Sequence, residues 1–195
     1  MIELVPELQV ARLDLVRLFG RNACLEVDLG CGDGSFLCEL AQQFPERNFL
    51  GIDRLTKRVE KVRRKAAKID NVRVLPTDTL FGVRYLLPEN SVQTFYLLFP
   101  DPWPKRRHQE RRIFTCGFLD AIATALEQDG ALRVATDQVD YFRQMERLSH
   151  DHSQFEIVPP SPNDAVFPLT KFERGFRQQG VPIYRLALRK ISPVK

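Results

Sequence analysis

The sequence predicts an α/β fold in which helices cover both faces of a mostly parallel sheet. Two observations support this prediction: short apolar runs alternate with longer amphipathic segments, and a glycine-rich loop follows the first of those runs. Strand–helix alternation predicts parallel strands, because right-handed crossovers return the chain to the same edge of one sheet. Ligands of such sheets bind at the carboxyl ends of the strands, so the residues at the end of each strand are the candidates for a site.

Seven apolar runs are the predicted strands, and they cover residues 24–29, 48–52, 72–75, 92–99, 131–136, 155–158 and 183–189. Helices are predicted over residues 35–44, directly after the glycines, and over 113–128, which Gly130 is placed to stop. A further helix covers 139–149, behind the candidate N-cap Asp137. Between the second and third strands lies an apolar stripe with helical spacing, which consists of Leu55, Val59, Val62, Ala66 and Ile69.

The chain has 195 residues, of which 44% are hydrophobic and 28% charged, and it fits one globular domain over 1–195. Residues 1–22 are predicted to form a helical N-terminal segment. Residues 159–180 are predicted to form a long substrate loop with four prolines, since long structureless loops are usually functional or disordered. The N-terminus resembles neither a signal peptide nor a membrane span, and the cysteines and histidines form no metal pattern. We expect a cytoplasmic protein with no metal and no membrane partner, and its oligomeric state stays open.

Basic residues form two clusters, although the net charge is only +4. Eight of residues 54–68 and five of residues 105–112 are Lys or Arg, and each run contains one acidic residue. Such clusters suit a polyanion such as nucleic acid. The alternative is a solvated surface with no partner.

The loop after the first strand indicates the class of cofactor. It reads DLGCGDG, with glycines at Gly30, Gly32 and Gly34 and a carboxylate at Asp28. A dinucleotide fingerprint would need a glycine at position 35, where serine stands, and Asp28 would repel a pyrophosphate. S-adenosylmethionine has no phosphate and carries an ammonium and a sulfonium group. The acidic glycine loop therefore favours S-adenosylmethionine over NAD.

Two further acids follow the next two strands. Asp53 ends the second strand and is placed to accept hydrogen bonds from both hydroxyls of a ribose. Asp78 follows the third strand and is placed to accept one from the adenine amino group. Each acid alone would be an ordinary cap or turn residue, but acids behind successive strands favour a nucleoside cofactor.

Prolines at alternate positions stiffen the loop after the fourth strand. The run FPDPWPKRRHQERR, residues 99–112, places Asp101, the ring of Trp103 and a basic segment beside the cofactor loop. The Trp103 ring suits either stacking on a base or packing within the protein. The basic segment suits neutralisation of phosphates.

This run resembles the most specific motif of the bacterial tRNA (guanine-N7)-methyltransferases. The resemblance continues in ATD at 135–137 and TKFE at 170–173, and it covers residues 25–188 in the family's order. It implies a Rossmann-like, S-adenosylmethionine-dependent methyltransferase fold with a seven-stranded sheet. It also implies methyl transfer from S-adenosylmethionine to N7 of a guanine in the tRNA variable loop, at position 46.

The resemblance also assigns roles to residues that match the family's motifs. Cofactor binding falls on the acids behind the first four strands, which are Asp28, Asp53, Asp78 and Asp101. Substrate binding falls on Lys105, Asp137, Thr170, Lys171, Phe172 and Glu173. RNA contact falls on residues 107–112, with the basic members Arg107, His108, Arg111 and Arg112. The family commonly has glutamate at position 28 and often at 53, so the shorter aspartates here are expected to change cofactor affinity.

Guanine N7 carries a lone pair and no proton at neutral pH, so its methylation needs no general base. The product carries positive charge on the purine, which a fixed carboxylate stabilises as it develops. Asp101 is the candidate catalytic residue and Asp137 the second, with a turn residue and a helix N-cap as their structural alternatives. The rival functions are a methyltransferase of small molecules or proteins, and an RNA-binding protein that uses no cofactor.

Overall fold

The computed structural model describes residues 11–159 and 167–192. The strands are β1 (Leu25–Leu29), β2 (Asn48–Ile52), β3 (Val72–Leu75), β4 (Val92–Leu98), β5 (Leu126–Thr136), β6 (Phe155–Val158) and β7 (Tyr184–Lys190). The helices are α1 (Leu15–Phe19), α2 (Ser35–Gln43), α3 (Thr56–Lys65), α4 (Thr79–Phe81), α5 (Cys116–Ala125), α6 (Val139–His150) and α7 (Lys171–Gln178). Short 3₁₀ turns cover Ala66–Lys68 and Arg106–Arg111, and a π turn covers Gly82–Leu86.

The seven strands form one sheet in the order β3-β2-β1-β4-β5-β7-β6. Strands β1 to β5 are parallel to one another, whereas β7 runs antiparallel to both β5 and β6. The predicted mostly parallel, seven-stranded sheet is therefore confirmed. The carboxyl ends of β1 to β5 meet at one edge, which we call the carboxyl edge. The strand order reverses between β1 and β4, the place where such sheets bind ligands.

Helices cover both faces of the sheet, each over its own apolar core. On one face α2 and α3 contribute Phe36, Leu40 and Val62, which pack with Phe49 and Tyr96 of the sheet. On the other face α5 and α6 pack through residues that include Phe118, Ile122, Tyr141 and Met145. The predicted α3 stripe is correct at Val59 and Val62, which are fully buried, but Leu55 precedes the helix and is 44% exposed.

The predicted helix over 113–128 is too long at both ends. The side chain of Thr115 caps α5 by accepting a hydrogen bond from the Phe118 amide at 3.2 Å. The helix ends at Ala125, because Leu126 is extended and pairs with Val92 of β4. Gly130 does not stop a helix: it lies within β5, where a Cβ would approach the Glu127 carbonyl oxygen to 2.9 Å.

Three other predictions are corrected or limited. Gln138, not Asp137, is the N-cap of α6, and the Asp137 carboxylate instead accepts a hydrogen bond from Nε2 of Gln138. The predicted structureless loop over 159–180 contains α7, while its residues 160–166 lie outside the described chain. Of the predicted helical segment 1–22, the short helix α1 is present, and residues 1–10 are likewise outside. None of the described helices has both the length and the apolar character needed to cross a bilayer.

Candidate cofactor and RNA site

The glycine loop between β1 and α2 is held against β2. The Gly30 amide donates a hydrogen bond to the Ile52 carbonyl at 2.8 Å. Gly30, Gly32 and Gly34 have φ angles of 78°, 56° and 72°, in the left-handed region that favours glycine. A Cβ on Gly30 would meet no atom within 4 Å, whereas one on Gly34 would lie 2.8 Å from Cγ2 of Val62. Gly30 therefore borders open space, and Gly34 permits close packing of α3.

Two buried carboxylates lie two residues apart on β1, on the same face of the strand, but the protein satisfies only one of them. Glu26 is 1% exposed and accepts hydrogen bonds from Oη of Tyr96 and Nη1 of Arg47, both at 2.7 Å. Asp28 is 4% exposed and receives no hydrogen bond from the described residues. Burial, and after it the negative charge of Asp53, raises the pKa of Asp28 to about 7. A buried carboxylate without a donor is costly, so Asp28 is suited to a cationic ligand.

Asp53 and Asp78 are fixed at the carboxyl edge by backbone amides. Asp53 is 3% exposed; its Oδ2 accepts from the Gly32 amide at 3.1 Å and its Oδ1 from the Leu55 amide at 2.8 Å. Asp78 is exposed, and its Oδ1 caps α4 by accepting from the Phe81 amide at 3.0 Å. Both acids therefore have the local turn or cap role that was their structural alternative. That role also holds each carboxylate at the end of its strand.

The loop after β4 contains two residues with unfavourable backbone conformations. Phe99 and Trp103 have φ angles of 55° and 42°, which non-glycine residues rarely adopt. Such strain persists only where the surroundings enforce it, and it is concentrated at functional sites. The Phe99 amide donates to the Ala135 carbonyl at 2.7 Å and ties the loop to β5. Asp101 lies between the two strained residues and is exposed.

Arg112 holds this loop from inside the protein, which corrects its predicted role in RNA contact. It is 5% exposed, and its Nε donates to the Pro102 carbonyl at 2.8 Å. Its Nη1 donates to Oε1 of Gln144 on α6 at 2.6 Å, and its guanidinium lies 4.6 Å from the ring centroid of Tyr141. A guanidinium buried among these partners is not presented to a phosphate. The sequence did not predict these contacts of Arg112, because a run of basic residues does not show which of them is buried.

The Trp103 ring is half-buried between two side chains of its own loop. The ring of His108 meets it edge-on with centroids 6.0 Å apart, and the Arg111 guanidinium lies 5.1 Å from its centroid. These contacts support the packing alternative for Trp103 over stacking on a base. Lys105 and Arg107 are exposed beside this group, so the loop presents positive charge to solvent.

The TKFE segment begins α7 and lies next to the loop after β4. The Thr170 hydroxyl accepts from the Glu173 amide at 3.0 Å and caps the helix, as the first residue of a capping box does. Lys171 is exposed, and Phe172 is 61% exposed with its ring 6.5 Å from that of Phe99. Glu173 is 4% exposed. The structure therefore brings this distant segment to the carboxyl edge, where Asp137 also lies, half-buried after β5.

Sequence reasoning also missed the partners of the Glu173 carboxylate. Oε1 of Glu173 accepts from Nε of Arg177 at 2.9 Å and from Nη2 of Arg185 on β7. The spacing of four residues between Glu173 and Arg177 on a helix was a usable signal. Arg185 is brought there only by the tertiary fold, so no local pattern indicates it.

The residues of this edge fit S-adenosylmethionine. Open space borders Gly30, and the neighbouring Asp28 has no donor from the described residues. A pyrophosphate would be repelled by Asp28, which has no cation paired with it among the described residues. Asp53 differs, because Nη1 of Arg58 lies 3.5 Å from its Oδ2. The ammonium group of S-adenosylmethionine would instead supply the positive charge that Asp28 lacks.

Comparisons with known proteins agree with this chemistry. The model of a family described as putative methyltransferase matches residues 22–186. The structure of the 16S rRNA methyltransferase KamB superposes with a TM-score of 0.69 at 18% identity, covering 93% of this chain and 95% of that one. An S-adenosylmethionine-dependent O-methyltransferase from Thermotoga maritima gives 0.60 at 12% identity, covering 93% and 64%. At these identities the structures show the fold alone. The family model and the acidic carboxyl edge together define an S-adenosylmethionine-dependent methyltransferase.

Sequence relatives define the family more narrowly. A tRNA (guanine-N(7)-)-methyltransferase from Halorhodospira halophila is 40% identical over 194 residues, which are 95% of this chain and 82% of that protein. One from Thermotoga maritima is 36% identical over 182 residues, which are 92% of this chain but only 58% of the longer relative. One from Cronobacter sakazakii is 32% identical, with 95% and 80% covered. The chain belongs to the tRNA (guanine-N7)-methyltransferase family.

Proposed function

We propose that this protein transfers the methyl group of S-adenosylmethionine to N7 of a guanine in the variable loop of tRNA, at position 46. One observation carries the proposal above the others. In a chain of this family, Asp28 is buried at the carboxyl edge without a hydrogen-bond donor among the described residues, and Gly30 beside it borders open space. The strained loop that contains Asp101 follows the adjacent strand β4. We place the reaction in the cytoplasm, where the tRNA substrate is found.

The acids at or just beyond the carboxyl ends of β1, β2 and β3 would hold the cofactor. Asp28 would bind the ammonium group, Asp53 the ribose hydroxyls and Asp78 the adenine amino group. The loop glycines would let the backbone approach the cofactor closely, because glycine has no Cβ that would stand between its amide and the ligand. When bound, S-adenosylmethionine supplies an electrophilic methyl group on a sulfonium.

Asp101 is the proposed catalytic residue and also contacts the cofactor. Because N7 has a lone pair and no proton, the chain needs no base, and its contribution is alignment and charge stabilisation. A carboxylate fixed beside the purine stabilises the positive charge that develops on the ring. Asp137, at the end of the next strand, is the second carboxylate placed for this role and for binding the guanine.

Basic residues of the loop after β4 and of α3 would bind the tRNA backbone. Lys105, Arg107, His108 and Arg111 lie on the loop that also carries Asp101, and they are our proposed RNA contacts. The exposed face of α3 adds a second basic surface, which consists of Lys57, Lys61 and Arg64. These two surfaces would track phosphates on either side of the reacting base. Affinity should then fall steeply with salt, because bound phosphates release counterions.

The decisive experiment is incubation with unmodified tRNA and labelled S-adenosylmethionine, followed by mapping of the modified nucleoside. We expect 7-methylguanosine in the variable loop. Asp101→Ala should lose nearly all turnover and keep its unfolding temperature, and Asp70→Ala is a matched control in an exposed turn before β3, at the opposite edge of the sheet. Label in a small molecule or protein but not in tRNA would refute the proposal. Methylation that is insensitive to salt would argue against tRNA binding by the basic surfaces.

A further inference from the structure

Among the described residues, the donors to the Glu173 carboxylate all bind one of its two oxygens. Its Oε1 accepts a hydrogen bond from Nε of Arg177 at 2.9 Å, and Nη2 of Arg177 lies 2.7 Å from the same atom. Nη2 of Arg185 donates to this oxygen as well. The other oxygen, Oε2, receives no hydrogen bond from the described residues. The two guanidinium groups therefore fix the orientation of the carboxylate and leave one acceptor for another partner.

This group is anchored to the carboxyl edge beside the loop that carries Asp101. Arg185 pairs with Ala135 across β7 and β5. The carbonyl of Ala135 accepts the hydrogen bond of the Phe99 amide at 2.7 Å, two residues before Asp101. Ala135 of β5 therefore contacts both Arg185, which binds Glu173, and Phe99, which begins the loop that contains Asp101.

Aromatic contacts make the same connection from α7. The ring of Phe176 lies 5.5 Å from that of Phe99, and the ring of Phe172 lies 6.5 Å from it. Phe172 directly precedes Glu173 and is 61% exposed. The helix that carries Glu173 therefore packs on the loop after β4, close to the proposed reaction centre.

We propose that Arg185 and Arg177 are positioning residues, which set Glu173 so that its Oε2 accepts a hydrogen bond from the 2-amino group of the target guanine. This inference rests on the proposed function. Guanine presents the N1 proton and the 2-amino group on the edge opposite N7, and a carboxylate oxygen accepts from such donors. A base held by this edge has its N7 directed away from Glu173. Recognition and alignment for methyl transfer then depend on the same fixed carboxylate.

Arg174 provides a matched control on the same helix. Its Nη2 lies 2.9 and 2.7 Å from the two carboxylate oxygens of Glu39 on α2, and both side chains are close to half exposed. Removing it breaks an ion pair of α7 and leaves the Glu173 group intact. Arg185→Lys is the conservative variant, since it keeps the charge and loses the planar fork.

The test measures kcat and KM for two tRNAs that differ only in guanosine or inosine at the target position. Inosine lacks the 2-amino group and keeps N7. For the wild-type protein we expect kcat/KM to favour guanosine by roughly tenfold or more, the usual weight of a hydrogen bond to a charged group. Arg185→Ala and Arg177→Ala should bring this ratio close to one, Arg185→Lys should restore part of it, and Arg174→Ala should keep the wild-type ratio. Binding of S-adenosylmethionine should stay unchanged in all four variants.

Each other outcome has a distinct meaning. A guanosine preference that survives in both alanine variants would overturn the positioning role, even if their overall rates fell. If Arg185→Ala fails to fold, Arg177→Ala decides alone. A wild-type protein that methylates both tRNAs equally would overturn the inference and leave the proposed function standing. A wild-type protein that methylates no tRNA would overturn the proposed function itself.

Discussion

The raised pKa of Asp28 predicts that the protein without cofactor loses stability as the pH rises. The ordinary value is 3.8 and the folded value is about 7, because the carboxylate is buried and lies near Asp53. Between these values the folded state holds a proton that the unfolded state has released. The stability from this group is therefore fully present below the unfolded pKa and is lost as the pH rises through the folded pKa. From pH 5 to above pH 7 the loss spans about two pKa units, or about 3 kcal/mol.

Asp28→Asn removes this titration while keeping the shape of the side chain. Urea unfolding at pH 5 and pH 8.5, without cofactor, should show the variant gaining about 3 kcal/mol relative to wild type between the two pH values. The cost of burying the amide is the same at both pH values and cancels in this difference. Asp33→Asn is a control that should show no pH dependence in this window, because a carboxylate with a lowered pKa is ionised at both pH values in the folded and the unfolded state. Burial raises the pKa of Asp33, but hydrogen bonds from Lys65 and Ser35 outweigh it and lower the pKa overall. A stability difference for Asp28→Asn that is independent of pH would refute the reasoning.

Three further predictions follow from the same contacts. Below pH 7, the affinity for S-adenosylmethionine should rise about tenfold for each unit by which the pH is raised, because its ammonium group binds Asp28 in the ionised form. Calorimetry should find no such pH dependence of the affinity in Asp28→Asn. Gly51→Ala should cost about 1–3 kcal/mol in thermal unfolding, because its Cβ would lie 2.8 Å from Sγ of Cys31 and from Cδ2 of Leu37. Arg112→Ala should lower kcat for tRNA methylation by about tenfold or more and leave cofactor affinity near wild type. A kcat equal to that of wild type would show that the loop keeps its shape without these contacts of Arg112.

The sheet was predicted well wherever a strand is a short buried run between polar residues. The predicted bounds of β2, β3 and β6 agree with the structure, and β2 is buried at every position. The boundary between α5 and β5 was missed, because nothing in the segment LEQDG marks a strand locally. Leu126 is extended because it pairs with Val92, more than thirty positions away in the chain. Tertiary pairing overrode the helical pattern there.

The site was predicted to the extent that its residues follow strands. Order along the chain was enough to place Asp28, Asp53, Asp78 and Asp101 at or just beyond the carboxyl ends of β1 to β4, because parallel strands end at one edge. Burial could not be predicted in the same way. Within one run of basic residues, Arg111 lies over the Trp103 ring while Arg112 points into the protein. Two residues that are adjacent in the sequence lie in the same local sequence context, but they can contact different residues in the fold. Local sequence therefore does not predict which of them is buried.

The hydrogen bonds of the acidic groups distinguish residues that support the site from those that face a ligand. Glu26 and Asp28 are both buried on β1, yet Glu26 has two donors and Asp28 has none among the described residues. The two oxygens of Glu173 differ in the same way. Oε1 accepts hydrogen bonds from two arginines, and Oε2 has no donor among the described residues. A carboxylate oxygen that is largely removed from water and has no donor is costly, and a ligand that donates to it or carries positive charge removes that cost. This contrast is the reason why our proposals assign Asp28 to the methyl donor and Oε2 of Glu173 to the base that receives the methyl group.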